Sequence, residues 1–176
     1  MRKLVACSLL ALTLFGCAAP PPAPPAEAPA QILLVRHAEK DGEDGDVPLS
    51  EQGHARAREL ARTLADAGVS AIYTSQFERN VDTAKPLAET LNIQPTVIPA
   101  DDIQVLVDKL KASPAGSTTL VVSHQNKLPQ LVAGLGAETP ALTPTEYDRL
   151  VVVTLGAGKP KALTLRYGAP SELAPE

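Results

Sequence analysis

Four short, almost wholly apolar runs recur along this sequence, and they do not alternate with polar residues as a half-exposed strand would. They are ILLV at 32–35, AIYT at 71–74, TVI at 96–98 and TLVVS at 119–123. Runs of this length and composition indicate strands buried on both faces, which is the environment of a parallel sheet covered by helices. A parallel sheet is therefore the first expectation for this chain.

Helical periodicity fills the segments between these runs. The apolar positions at helical spacing are Ala57, Leu60, Ala61 and Leu64, then Val81, Ala84, Ala88 and Leu91, then Ile103, Leu106, Val107 and Leu110. A short fourth helix is predicted at 128–135. Pro86 lies inside the second pattern, so we expect a kink or two short helices there, because proline removes a helical hydrogen bond.

Two β-rich runs follow the last helical segment. RLVVVTL at 149–155 and KALTLRY at 161–167 flank the turn sequence GAGKP, which is typical of a β-hairpin. Alternating strands and helices predict a three-layer α/β/α domain with a mostly parallel central sheet, right-handed crossovers and this C-terminal hairpin. We expect the domain over residues 31–170, a length that suits one core, with a short tail at 171–176.

The first thirty residues have a different composition. Arg2 and Lys3 precede an apolar stretch that ends at Cys17; this is typical of a secretory signal peptide and shorter than the roughly 20 residues of a membrane-spanning helix. The ending LFGC resembles the lipobox of bacterial lipoproteins. We therefore expect a signal peptide at 1–16, then a lipidated cysteine and Pro/Ala-rich tether at 17–30.

This leader predicts an exported, membrane-anchored lipoprotein on the periplasmic side of the cell envelope. An ordinary secreted protein is the alternative. Both cysteines, Cys7 and Cys17, belong to the leader, so the domain lacks the thiols for a disulfide framework or a thiolate metal site. No basic stripe or aromatic interleaving is present, which argues against a nucleic-acid partner. The acidic loop at 40–46 fails the calcium-loop template because its glycines are misplaced.

Polar residues follow each predicted parallel strand. Because ligands of such sheets bind at the carboxyl ends of the strands, these side chains are expected to share one rim. Guanidinium groups suit phosphate oxygens, and positive neighbours favour the neutral, nucleophilic form of a histidine. The set predicts phosphoryl transfer to a histidine nitrogen without a metal or other cofactor. Its members are Arg36, His37, Ser75, Gln76, Arg79, Asp101, Asp102 and His124.

The motifs around these residues resemble those of the histidine phosphatase superfamily, the phosphoglycerate-mutase-like group. Arg36-His37-Ala38 resembles its first motif, and PLSEQGHARARELARTL its stretch leading into the first helix. The second motif, Ser-x-x-x-Arg-x-x-x-Thr-Ala, is matched by Ser75, Arg79, Thr83 and Ala84, and VVSHQN is similar to the second-histidine motif. The resemblance runs from Ile32 to Gly136. Asn80 and Gln125 depart from the usual small residues at their positions.

The resemblance implies a role for each matched residue. His37 would be the nucleophile that becomes phosphorylated, and Arg36, Arg79 and His124 would hold the phosphoryl oxygens. Asn126 would line the same pocket.

The proton donor to the leaving group is left open by the sequence. Asp101 is favoured because it follows the third strand, where many members of the superfamily carry an acid. Asp102 is a second candidate, although it also suits the N-cap of the next helix. Glu39, two residues past His37, is the third.

The leading functional expectation is a metal-independent phosphomonoester hydrolase that acts on a phosphorylated small molecule or envelope substrate. The alternative is a non-catalytic envelope lipoprotein that binds a phosphorylated or anionic ligand. Phosphoglycerate mutase activity fits less well because the chain leaves little room for substrate-enclosing insertions. Phosphohistidine-protein phosphatase activity also fits less well, since an exported enzyme does not meet cytoplasmic phosphoproteins.

Overall fold

The structure, a computed structural model, describes residues 28–43, 45–139 and 141–171. These residues are built around a six-stranded sheet. The order of its strands is β3-β2-β4-β1-β5-β6. Their bounds are β1 (Ala30–Arg36), β2 (Val69–Thr74), β3 (Thr96–Val97), β4 (Thr118–Ser123), β5 (Arg149–Leu155) and β6 (Lys161–Arg166).

The sheet is parallel over its first four strands and antiparallel beyond them. Strand β4 pairs in parallel with both β1 and β2, and β2 pairs in parallel with β3. Strand β5 pairs antiparallel with β1 and with β6, which confirms the mostly parallel sheet and the C-terminal hairpin. In the β1–β4 ladder Arg36 is opposite Ser123. The residues that follow, His37 and His124, therefore leave the sheet side by side.

Helices cover both faces of the sheet. They are α1 (Glu51–Leu64), α2 (Glu78–Leu91), α3 (Ile103–Lys111) and α4 (Leu128–Gly134). Leu33 and Val35 of β1 pack in one core cluster with α1 and α2, whereas Ile32 and Leu34 pack in another with α3 and α4. Alternate residues of the buried strand thus serve opposite cores, as expected for a strand with no polar face. The three-layer prediction is confirmed.

Helix α2 runs through Pro86 as one helix, so the predicted alternative of two short helices is wrong. The residues after the proline, Leu87 and Ala88, are buried against the sheet. The burial of these side chains stabilises the helix by more than the hydrogen bond missing at Pro86 costs. The helix ends at Asn92, whose left-handed φ of 52° allows its N–H to bond back to Glu89 and Ala88 carbonyls.

Several sequence predictions fall outside the described residues. The signal peptide at 1–16, Cys17 and all but the last residues of the tether are among them, and so are residues 172–176. Within the described part of the chain, none of the helices has both the length and the apolar character needed to cross a bilayer.

Candidate active site

His37 lies just beyond β1, with its imidazole buried and its orientation fixed by the backbone. Its N–H donates to the Ser123 carbonyl at 2.9 Å, which extends the pairing of β1 with β4 by one residue. The ring Nδ1 lies 2.8 Å from the carbonyl oxygen of Ala38. Because a carbonyl oxygen only accepts, Nδ1 must carry the proton, and Nε2 of the neutral ring keeps its lone pair.

The surroundings of His37 favour that neutral form. Burial is the largest cause that lowers the pKa of His37, and the charge of Arg36 and the proximity of His124 and Arg79 lower it further, to about 3. The hydrogen bond to Ala38 opposes these effects only in part. At neutral pH the ring is therefore an uncharged imidazole with an available nitrogen, which is the nucleophilic state.

His124 emerges from the end of β4 beside His37. The two ring centroids are 5.5 Å apart. Nε2 of His124 shares a 3.0 Å hydrogen bond with Oγ of Ser75, and the Phe77 ring packs edge-on against the imidazole. Burial, followed by the charge of Arg79, lowers the pKa of His124 to about 4. Two neutral imidazoles thus lie side by side at this rim of the sheet.

Arg36 is the last residue of β1, and the loop before β5 holds its guanidinium. Nη1 donates to the carbonyls of Pro144 and Glu146, and Nη2 donates to the hydroxyl of Tyr147 at 3.0 Å. The guanidinium also lies over the Tyr147 ring, with Cζ 3.9 Å from the centroid. Its buried Nε has no acceptor among the described residues.

Arg79 approaches from the first turn of α2. Its Nη1 donates to the Gly45 carbonyl at 3.2 Å and lies 3.7 Å from a carboxylate oxygen of Asp46, while its Cζ stacks 4.5 Å from the centroid of Phe77. Like that of Arg36, its Nε is buried and lacks an acceptor within the described chain. Two guanidinium groups at one rim, beside two neutral histidines, suit the binding of an anion.

Thr83 connects the two sides of this site. Its hydroxyl oxygen accepts the Ala38 N–H at 2.8 Å and donates to the Arg79 carbonyl at 2.7 Å. The residue that fixes the His37 tautomer is therefore joined through one fully buried hydroxyl to the turn that carries Arg79.

Two of the three acidic residues predicted as proton donors, Asp101 and Glu39, are held in ion pairs. The Asp101 side chain is 93% exposed and pairs with Lys127 at 2.9 Å, and that hydrogen bond and charge lower the pKa of Asp101. A carboxylate held in its ionised form is poorly suited to donate a proton at neutral pH. Asp102 is exposed at the N-cap position of α3. Glu39 is bound by Arg56, with Nη2–Oε1 at 2.7 Å.

Asn126 is exposed in the turn that follows His124, and its backbone carbonyl accepts from the Gln130 side chain. Its predicted place in the phosphate pocket stays a prediction. The neighbouring Gln125 donates instead to the Leu142 carbonyl at 2.8 Å, and so ties the turn after β4 to the loop before β5.

Tyr147 and Arg56 are two residues of this region that the sequence did not reveal. Tyr147 contacts Arg36 across 111 positions of sequence, within a loop that has no periodicity to mark it. Arg56 did carry a signal. It precedes Leu60 by one helical turn, and a charged residue in line with the apolar face of a helix requires a buried partner.

Metal binding finds little support at this rim. The guanidinium groups of Arg36 and Arg79, beside His37 and His124, would repel a cation. Among the described residues, no cluster of three or more histidine, cysteine or acidic side chains has the arrangement of a metal site.

Comparison with known proteins relates this geometry to one family. The profile of the histidine phosphatase superfamily (branch 1) matches residues 32–104, which include Arg36, His37 and Arg79. No curated protein sequence matches the chain.

Solved structures share the fold at low sequence identity. The protein histidine phosphatase SixA, complexed with tungstate, has a TM-score of 0.62 at 23% identity, covering 77% of this chain and 96% of that one. A mycobacterial glucosyl-3-phosphoglycerate phosphatase has a TM-score of 0.62 at 18% identity, with 79% and 98% covered. A phosphoserine phosphatase from Entamoeba histolytica, complexed with 3-phosphoglyceric acid, has a TM-score of 0.60 at 16% identity, with 80% and 97% covered.

The match over residues 32–104 accounts for the first motif and the helix that carries Arg79. His124 lies beyond the matched segment and reaches the same rim from β4. The matched segment and the shared fold thus make this chain similar to the histidine phosphatase superfamily.

Proposed function

We propose that this protein is a phosphomonoester hydrolase that works through a phosphohistidine intermediate at His37. The observation that carries the proposal is the hydrogen bond from His37 Nδ1 to the Ala38 carbonyl, which leaves the lone pair on Nε2. Burial and the nearby positive charges lower the pKa of His37 to about 3, so that lone pair is available across the physiological pH range.

In the first half of the reaction, Nε2 attacks phosphorus and the bond to the leaving oxygen breaks. Charge then spreads over the three equatorial oxygens of the phosphoryl group. The guanidinium groups of Arg36 and Arg79 carry positive charge at this rim and are suited to stabilise that charge. Because other contacts already hold both guanidinium groups, little reorganisation is required when the substrate binds.

In the second half, water attacks the phosphohistidine and releases inorganic phosphate and His37. Ser75 holds His124 in place through the 3.0 Å hydrogen bond. From there His124 is suited to contact a phosphoryl oxygen through the transfer to His37 and the transfer to water. Since neither histidine is charged at neutral pH, the two arginines supply the positive charge.

The full-length protein and its His37→Ala variant, assayed with an aryl phosphate in the presence of EDTA, test this proposal. His54→Ala is the matched control, because His54 is exposed on α1. We expect His37→Ala to abolish turnover and His54→Ala to leave it unchanged. Rapid quenching in base should trap a phosphoramidate on His37, which mass spectrometry detects. If the wild-type protein turns over the aryl phosphate no faster than His37→Ala, the proposal of a hydrolase is overturned and the ligand-binding alternative is favoured.

We also propose that the enzyme is exported and held at a membrane by acyl chains on Cys17. The basic start, the apolar stretch and the LFGC ending support this, and the Pro/Ala-rich segment after Cys17 suits a tether. Stable anchoring requires more than one acyl chain. Cys17→Ala should move the protein from the membrane fraction to the soluble fraction, whereas Cys7→Ala should not. Membrane association that persists in Cys17→Ala would overturn the anchor.

A further inference from the structure

A groove of about 390 Å³ opens beside the site, between the loop after His37 and the loop before β5. Its lining is mainly polar and includes Lys40, Gln52, Thr145 and Tyr147. Of these, Tyr147 also reaches the nucleophile, since its ring centroid is 6.1 Å from that of His37. Tyr147 therefore borders both the nucleophile and the groove into which a leaving group can extend.

The distance between the rings of Tyr147 and His37 suits an in-line reaction. An attacking nitrogen about 3–3.5 Å from phosphorus places the leaving oxygen roughly 5 Å from that nitrogen, one P–O bond further on. The Tyr147 ring centroid lies 6.1 Å from that of the imidazole, a separation similar to that distance.

The hydroxyl of Tyr147 has its proton available. Its oxygen accepts a hydrogen bond from Arg36 Nη2 at 3.0 Å, and the guanidinium lies against the ring face. An oxygen that accepts from a cation keeps its own O–H free to donate elsewhere. The same cation stabilises the phenolate that remains after the proton has left.

The backbone of Tyr147 is held firmly. Its N–H donates to Ser171 Oγ at 2.8 Å, and the residues on either side, Glu146 and Asp148, are buried in ion pairs with Arg166. A donor on a loop fixed in this way keeps its distance to the reacting atoms during turnover.

We propose that Tyr147 is the proton donor to the leaving group, an assignment that rests on the proposed role of His37. As the bond from Nε2 to phosphorus forms, the P–O bond breaks and its electron pair stays on the leaving oxygen. That oxygen takes the proton of the Tyr147 hydroxyl and departs as a neutral alcohol. The phenolate then takes a proton from solvent, and water hydrolyses the phosphohistidine in a second half that is the same for every ester.

This assignment defines a class of substrate. A phenol is a stronger acid than an aliphatic alcohol, so proton transfer to a departing alkoxide is downhill. The groove is polar and of limited volume, and it therefore suits phosphate esters of small, hydroxylated aliphatic alcohols.

Tyr147→Phe in the full-length protein, measured with a small alkyl phosphate and with p-nitrophenyl phosphate, tests the assignment. The nitrophenolate leaves without protonation, whereas the alkoxide does not. We expect kcat for the alkyl ester to fall by about 10²–10⁴-fold, the usual contribution of a general acid, and kcat for the aryl ester to change by less than about threefold. Tyr73→Phe on β2 is the matched control and should leave both rates unchanged.

Competitive inhibition by inorganic phosphate reports separately on the fold and on the position of Arg36. An unchanged inhibition constant together with the selective loss of alkyl ester turnover supports the assignment. Equal losses for the two esters, with weaker phosphate inhibition, mean that Tyr147 only positions Arg36, which overturns it. Unchanged alkyl turnover also overturns it. If the wild-type protein hydrolyses neither ester, the proposed function itself fails.

Discussion

Arg56 of α1 binds both carboxylate oxygens of Glu39 through two nitrogens of its guanidinium group. Its Nε lies 2.8 and 2.9 Å from the two carboxylate oxygens, and its Nη2 lies 2.7 Å from Oε1. The exposed fractions of the two side chains are 2% for Arg56 and 12% for Glu39. Nη1 of Arg56 donates to the carbonyls of Tyr167 and Ala169. Because Glu39 follows His37 by two residues, this pair ties the loop after His37 to α1 and to the chain beyond β6.

Breaking this pair should destabilise the protein strongly. Arg56→Ala leaves the half-buried Glu39 carboxylate without a partner and removes the bonds to Tyr167 and Ala169, and we expect a loss of about 2–4 kcal/mol in the free energy of unfolding. Arg62→Ala on the same helix is the control, since its pair with Glu59 is 73% and 41% exposed and such pairs contribute about 0–1 kcal/mol. Urea denaturation measures both. Equal costs for the two variants would contradict the structural role of Arg56.

The Thr83 hydroxyl should couple the loop after His37 to α2. Thr83→Val keeps the shape but leaves the Ala38 N–H buried without an acceptor, which costs about 1–3 kcal/mol. We expect kcat to fall as well, because the Ala38 carbonyl orients the His37 ring. Thr83→Ser restores the hydroxyl and should recover kcat.

Thr90 offers the matched control for that variant. It lies on the same helix, and its hydroxyl donates to the Pro86 carbonyl at an exposed position. Thr90→Val should leave both kcat and the urea midpoint nearly unchanged. If Thr83→Val behaves in the same way, the hydroxyl does not connect the two sides of the site.

The two buried histidines should make the protein less stable as the pH falls. The folded pKa values of about 3 for His37 and about 4 for His124 lie below the ordinary 6.5, so the unfolded chain binds more protons in between. Their contribution is complete above pH 6.5 and is lost towards pH 4 and then pH 3. The slope is at most about 1.4 kcal/mol per pH unit for each histidine.

Glu146 has a separate window, because its pKa is lowered from 4.5 to about 2 and its contribution is lost only below pH 4.5. Urea denaturation between pH 6.5 and 4.5 therefore isolates the histidines. His37→Ala and His124→Ala should each flatten the slope in this interval, whatever their effect on the absolute free energy of unfolding. A wild-type protein with no slope there would show that the imidazoles are not buried.

Asp101 and Tyr147 are the two competing candidates for the proton donor, the first favoured by the sequence and the second by the structure. If Asp101 were the acid, Asp101→Asn would slow alkyl phosphate hydrolysis by about 10²–10⁴-fold. Its side chain is 93% exposed and paired with Lys127, so we expect less than about a threefold change in kcat. Asp108→Asn, exposed on α3 and bonded to Gln104, is the control. A selective loss of alkyl ester turnover in Asp101→Asn would restore the sequence prediction and contradict the role of Tyr147.

The sequence predicted the fold and the rim of the sheet because both depend on local patterns. Apolar runs indicate buried parallel strands whatever their order, and the carboxyl ends of parallel strands always share one edge. Arg36, His37 and His124 could therefore be assigned to one rim before it was known that β1 and β4 are neighbours. Arg79 followed from its position one helical turn past the second strand.

Contacts distant in sequence could not be predicted in that way. Glu39 was a candidate acid because only its separation from His37 was visible, and the Arg56 that binds it lies 17 residues further along. Tyr147 reaches Arg36 because β5 returns antiparallel beside β1 and brings the preceding loop to the rim. Pro86 shows that local structure can also escape sequence prediction. Proline disfavours a helix interior, but the burial of α2 against the sheet outweighs that preference.

The loop that carries Tyr147 should depend on Glu146. Its carboxylate accepts from the Thr143 N–H at 2.7 Å and from Arg149 and Arg166 at 2.6 and 2.9 Å. Burial opposes ionisation, but these donors prevail and lower the pKa of Glu146 to about 2. Glu146→Gln removes the charge that two arginines share, so we expect a loss of about 3–5 kcal/mol in the free energy of unfolding.

The same change should also weaken phosphate binding, because the carbonyls of Pro144 and Glu146 hold Arg36. We expect KM for an aryl phosphate to rise about tenfold or more, the effect of losing one charge-assisted hydrogen bond. Glu138→Gln is the control, since Glu138 is exposed in the same connection. If Glu146→Gln lowers stability and leaves KM unchanged, the loop does not position Arg36, and the rigid placement of Tyr147 over the site loses its main support.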